Sequence, residues 1–206
     1  MPDRYPDYDV LAKRGTLSWN RQTRDVVDRR LALAEIDPGL GEARIATLRR
    51  IAARIVPQPE GRPPINVVAM TLAKIGSSHP DGFRHADLPP ILLAWTIALD
   101  AIDAHARMYH SKPFAGLDDT AADDVLRATE RGETPADIWE AMEPQLFWSW
   151  RLIPDLVSAC WAHPSAWSAI GFGGPASPRG YVRLGKNLRD PWEAEERERD
   201  ERQDAA

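Results

Sequence analysis

Between Leu40 and Val56, the apolar residues Ile45, Leu48, Ile51, Ala52 and Ile55 recur at steps of three and four, while Arg44, Arg49 and Arg50 fall between them. That spacing predicts an amphipathic helix, ended by Pro57 and Pro59. A second helix is predicted to start at Pro63-Pro64, prolines being tolerated in a first turn, and to run through Val67, Val68, Met70, Leu72 and Ile75 to a stop at Gly76. The strongest pattern is "DLPPILLAWTIALDAIDAHARMYH", with Asp87 as N-cap, Pro89-Pro90 in the first turn and Leu92, Trp95, Leu99 and Ile102 on one stripe. A short helix follows from Asp118 to Arg131, closed by Gly132. A long one begins near Pro135 and passes Trp139, Met142, Leu146, Phe147, Trp150 and Ile153, with Pro144 and Pro154 as breaks or kinks. Its stripe reads as core, Trp150 included. No run alternates polar and apolar residues over a strand's length. The predicted fold is all-α: a single helical domain with an irregular Gly/Pro-rich C-terminal segment. Its parts are an N-terminal extension and first helix over 1–36, a helical body over 37–166, a strap over 167–192 and a charged tail over 193–206.

The strap, "WSAIGFGGPASPRGYVRLGKNLRDPW", carries a glycine or proline every few residues, with aromatics and arginines between. A phosphate cradle is one use of such a loop. "GFGGP" fails the dinucleotide fingerprint, because no strand precedes it, the third glycine is absent and Pro175 blocks the helix that would follow. A partner-binding strap is another use. Trp167, Phe172, Tyr181 and Trp192, with Arg179, Arg183 and Arg189, are of the types enriched at protein–protein hot spots, and Pro and Gly hold such a chain extended. Equally, the segment could wrap the protein's own helices and bury its aromatics there. Composition does not separate these two.

Charge and chemistry narrow the classes. With 26 basic and 31 acidic residues the net charge is -5, unlike a nucleic-acid binder with a dominant basic face. Cys160 stands alone, so the chain forms no internal disulfide, CxxC pair or iron–sulfur cluster by itself. Its neighbours Val157, Ala159 and Trp161 suggest a small buried hydrophobe. His105 and His110 are five apart, off any shared helix face, and a metal site is not expected. Asp100 and Asp103 share a face, and Asp103 reaches Arg107 one turn on, which reads as a solvent-facing ion pair. No GxSxG, HExxH or GxxxxGK[ST] occurs. The N-terminus lacks an apolar h-region and no stretch is long and apolar enough to span a bilayer. The protein is therefore expected in the cytoplasm as encoded, and in the periplasm only if a partner carries it out.

Three stretches resemble the gluconate 2-dehydrogenase subunit 3 family, the small gamma subunits that accompany flavin-dependent sugar and sugar-acid dehydrogenases. They are "WSAIGFGGPASPRGYVR" from Trp167, "KPFAGLDDTAADDVLRATERGE" from Lys112 and "WAHPSAW" from Trp161. "DYDVLAKRGTLSWNRQTRDVVDRRLA", from Asp7, is similar to a branch encoded beside oxidoreductases of the glucose-methanol-choline type. The resemblance implies a helical accessory subunit without catalytic, cofactor-binding or metal residues of its own. It implies association with an FAD-containing large subunit and, in many complexes, a cytochrome c subunit, together with a role in maturing or exporting the flavoprotein. On this reading Trp167, Phe172, Pro175, Arg179, Tyr181 and Arg183 are the partner-binding residues. The alternatives are a small helical enzyme with a borrowed cofactor, for which Asp100, Asp103 and His105 are the first suspects, and a free-standing chaperone that releases its client after FAD loading.

Overall fold

The computed structural model describes residues 5–56, 58–59, 61–77, 84–140, 142–180, 185 and 190–195. Its fold is all-α, with α1 (Arg21–Leu31), α2 (Glu42–Ile55), α3 (Val67–Ile75), α4 (Ile91–His110), α5 (Asp119–Arg131), α6 (Pro144–Phe147), α7 (Ile153–Trp161) and α8 (Pro164–Ala169). Among the described residues no strand forms, and one isolated parallel bridge joins Trp19 to Ser177. The chain divides into two compact units: Leu33–Pro57 with Asn66–Cys160, and Met1–Ala32 with Gln58–Ile65 and Trp161–Ala206.

The predicted helix ends differ from the observed ones where prolines remove donors. Asp87 does not cap α4, because the two positions whose N–H groups it would accept are Pro89 and Pro90, which have none; the helix starts at Ile91. Pro63 and Pro64 likewise stay outside α3. The amide of Ile65 donates to Gln58 Oε1 at 2.7 Å instead of joining a helix, and α3 starts only at Val67. Before α2, the Asp37 carboxylate accepts the amides of Gly39, Leu40 and Gly41 at 2.8, 2.6 and 3.0 Å, and these bonds hold its pKa below the ordinary range. α5 ends as predicted at Gly132, whose φ of 70° closes a Schellman motif with Gly132 N–H on Thr129 and Glu133 N–H on Ala128.

In the unit holding α2 to α7, α4 is the central element. Ala94, Trp95, Ala98, Leu99, Ala101, Ile102 and Ala106 are buried, so alanines flank the large residues and let neighbouring helices approach closely. Leu92, expected on this stripe, lies at the exposed N-terminal end. The Trp95 ring meets Phe147 edge-on at 5.1 Å, a preferred aromatic geometry, and Trp139 packs on the same Phe147 at 6.1 Å. α2 brings Ile45, Leu48, Ile51 and Ala52 to the core. Its arginines face outward and tie it to its neighbours: Arg44 grips Asp100 through two 2.8 Å bonds, and Arg54 grips Asp123 at 2.8 and 2.9 Å. Such part-exposed pairs fix orientation more than they stabilise.

The predicted long Trp-rich helix is instead a short 3-10 helix over Ala136–Trp139, then α6, a π-turn over Trp148–Leu152, and α7. Pro154 explains the π-turn. It has no N–H and its ring would strike the carbonyl one turn back, and the wider turn, with Ile153 N–H bonded to Trp148 O, makes room. One extra residue rotates everything after it by about 100°. The buried positions therefore run Phe147, Leu152, Asp155, Leu156 and Ala159. Trp150 is turned out of that stripe, 42% exposed beside His85, which corrects its assignment to the core.

Candidate functional site

The strap belongs to the unit built from the two ends of the chain. Asp9 opens a 3-10 helix, Val10–Gly15, by accepting the Leu11 amide, and Asn20 caps α1 by accepting that of Thr23 at 2.8 Å. At the other end His163 caps α8, its Nδ1 accepting the Ser165 amide at 3.1 Å. Val10, Trp19, Val27 and Trp167 form one hydrophobic cluster from residues far apart in sequence. Polar bonds pin the segments around it. Val10 N–H donates to Ser168 Oγ at 3.0 Å, Asn20 N–H donates to Ser177 O at 2.8 Å, and Arg62 donates to the carbonyls of Tyr8 and Tyr5 at 2.8 and 2.6 Å. An open groove of about 590 Å³ in the same unit is lined by Tyr8, Leu11, Leu31, Arg62, Pro164 and Ser165, among others.

Trp167 is thus a core residue of its own unit, 4% exposed, with its indole N–H donating to Trp161 O at 2.5 Å. Expected among the partner-binding residues, its ring is covered in this unit by Val10, Trp19 and Val27. Phe172 stands edge-on against Trp167 at 6.1 Å and keeps 46% of its surface exposed. Trp161 and Ile170 are exposed to a similar degree, so three large apolar side chains between 161 and 172 are left in water. Pro175 is half-buried. Arg179 grips Asp190 through two bonds of 2.9 and 3.2 Å and lies over the Trp192 ring at 5.7 Å. Tyr181 and Arg183 lie outside the described residues.

The residues that sequence reasoning missed are charged. Lys13 is fully buried, its Nζ donating to Gly173 O at 2.5 Å and standing 3.8 Å from Glu193. Nothing in "VLAKRG" marks this lysine as internal, since Gly173 lies 160 residues further on and Glu193 further still.

Two of the three suspects for acid–base chemistry, the carboxylates, are occupied. Asp100 is held by Arg44, while Asp103 accepts from Arg107 at 2.6 Å, the ion pair predicted, and from the Phe114 amide at 2.8 Å. His105 is buried against Tyr109, and desolvation, then repulsion from His110, holds its pKa down. Burial pushes the half-buried Cys160 thiol up, away from thiolate chemistry.

His163 makes a pH prediction. Burial lowers its pKa, and its cap requires an unprotonated Nδ1. Between the folded pKa and the ordinary value near 6.5 the unfolded chain binds more protons, so stability is full above about pH 6.5 and falls as pH drops through that window. His105 acts in the same sense. Urea denaturation at pH 7.5 and 5.5 should show the loss, and His163→Asn, which keeps a capping acceptor, should reduce it. An equal loss in the variant would remove His163 as the cause.

The family model described as gluconate 2-dehydrogenase subunit 3 matches residues 42–174. No curated protein and no solved structure matches the chain.

Proposed function

The chain belongs to the gluconate 2-dehydrogenase subunit 3 family, and we propose that it is a non-catalytic accessory subunit that docks on the FAD-containing large subunit of a flavin-dependent sugar, sugar-acid or alcohol dehydrogenase and assists its assembly or maturation. The flavin, and the haem where a cytochrome c subunit is present, then belong to the partners.

The observation that carries this reading is the exposed apolar set Trp161, Ile170 and Phe172 in a segment tied to the rest of its unit by the Val10–Ser168 and Lys13–Gly173 hydrogen bonds and by the packing of Trp167. Large apolar side chains fixed before association lose little entropy on docking, which is how a few residues come to dominate an interface. Phe172 and Pro175 face the partner in this reading, and Tyr181 and Arg183 are proposed as partner-binding residues with them. Trp167 and Arg179 support the strap from behind through Phe172 and Asp190.

Co-expression with an FAD-containing dehydrogenase of the glucose-methanol-choline type from the same genome tests the proposal. The tagged chain should retain a flavin-absorbing partner through size exclusion. Phe172→Asp should reduce that capture at least tenfold, about 1.4 kcal/mol, while leaving the melting temperature of the lone subunit nearly unchanged. No capture by the native chain sinks the docking proposal. Normal capture by Phe172→Asp would remove the strap from the interface.

A further inference from the structure

Among the described residues of its unit Lys13 is a fully buried charge, and a buried ammonium is costly unless compensated. The carboxylate of Glu193, near the end of the described residues, stands 3.8 Å from its Nζ. Desolvation lowers the Lys13 pKa, and Glu193 and then Asp190 oppose that shift, so both carboxylates act on this one ammonium. Asp190 is itself buried and gripped by Arg179, whose guanidinium covers Trp192, and Glu193 N–H donates to Asp190 O at 3.0 Å to close the turn. Meanwhile Lys13 Nζ holds Gly173 O, the carbonyl next to Phe172.

We infer that the turn Asp190–Ala194 is an ionic latch: it closes on Lys13 and Arg179, and through Lys13 it holds the Gly171–Pro175 loop that presents Phe172. The turn thereby sets the geometry of a loop about twenty residues before it. With the latch shut, Phe172 stands edge-on to Trp167; with it open, Lys13 loses a countercharge and its hold on Gly173 weakens. The latch itself concerns the lone subunit. Its consequence for docking rests on the function proposed above.

Peptide-resolved hydrogen exchange on the full-length chain tests it. In the double variant Asp190→Asn/Glu193→Gln, peptides covering 8–16 and 168–177 should exchange at least tenfold faster, while the α4 peptide keeps its protection. Arg179→Gln, which frees Asp190 without touching Lys13, should do the same to a smaller degree. Lys13→Met removes the charge that the latch serves, so adding Glu193→Gln to it should change exchange far less than in the native background. Unchanged exchange in the double variant overturns the latch. Loss of protection in α4 as well also overturns it, because the turn would then be a part of the global fold and not a separately opening element. Additive effects of Lys13→Met and Glu193→Gln would show that the two residues do not act through each other. Capture of the flavoprotein, measured separately, should fall in the double variant. A normal exchange response with unaffected capture would keep the latch and break only its link to docking.

Discussion

Replacing Asp155 by alanine is expected to cost about 3 to 5 kcal/mol, the usual consequence of removing one partner from a buried charged cluster. Asp155 is 2% exposed. Its Oδ2 accepts the Trp95 indole N–H at 3.0 Å, and its Oδ1 lies 2.8 Å from Lys74 Nζ and 3.7 Å from Arg151. One carboxylate therefore joins α3, α4, the π-turn and α7. Truncation leaves the Trp95 N–H without that acceptor in the core and takes a shared anion from two cations. Lys74 is partly exposed and recovers some solvation; Trp95 is fully buried and recovers none. Asp155→Asn keeps an acceptor for Trp95 and should lose less than alanine does. At this chain length the alanine variant should melt about 10 °C lower. A loss below about 1 kcal/mol in urea denaturation would show that water replaces the carboxylate easily, and that the cluster orients these helices without stabilising them.

Asp155 also shows where the sequence could be read and where it could not. α2, α4 and α5 follow from their apolar spacing, because each buries one continuous face and ends at a residue whose chemistry stops a helix, such as Gly132. Past Phe147 the same rule misleads. A period of 3.6 carries Trp150 inward, whereas the π-turn needed to seat Pro154 steps the buried face from Phe147 to Leu152 and brings Asp155 inside. Pro154 was the visible signal. Its effect on register depends on whether the chain kinks, breaks or widens, and local sequence does not choose among these.

The candidate site was legible as a family resemblance and as a set of residue types, but not as a geometry. Composition left open whether the strap lies on a partner or on its own chain. The structure divides it: Trp167 is core and Phe172 is exposed. Burial of Lys13 was invisible, because its compensation comes from Gly173 and Glu193, and pattern arguments work within a window of one helix. Contacts between the two ends of a chain leave no periodic trace in either segment.

The spacing of glycines in the strap leads to the second large expected effect. Gly174→Ala should destabilise the unit by about 2 to 4 kcal/mol, from a left-handed backbone and from overpacking together. Gly174 has φ of 64°, and a Cβ there would stand 2.9 Å from Trp167 Cε3 and 3.3 Å from Val10 Cγ2. The Trp167 ring cannot retreat cheaply, held as it is by its bond to Trp161 O and by its contacts with Val10 and Trp19. Gly180 supplies the control. Its φ is 74°, yet nothing lies within 4 Å of its Cβ position, so Gly180→Ala should carry the backbone cost alone, about 1 kcal/mol. Urea denaturation of both variants separates the two causes. If Gly174→Ala is no worse than Gly180→Ala, the strap does not pack on Trp167 as closely as described. If it is worse by the expected margin, close approach to an indole is the reason for a glycine here. Because the displaced ring is the one on which Phe172 rests, the docking proposed above adds that flavoprotein capture per folded molecule should fall in Gly174→Ala and stay normal in Gly180→Ala.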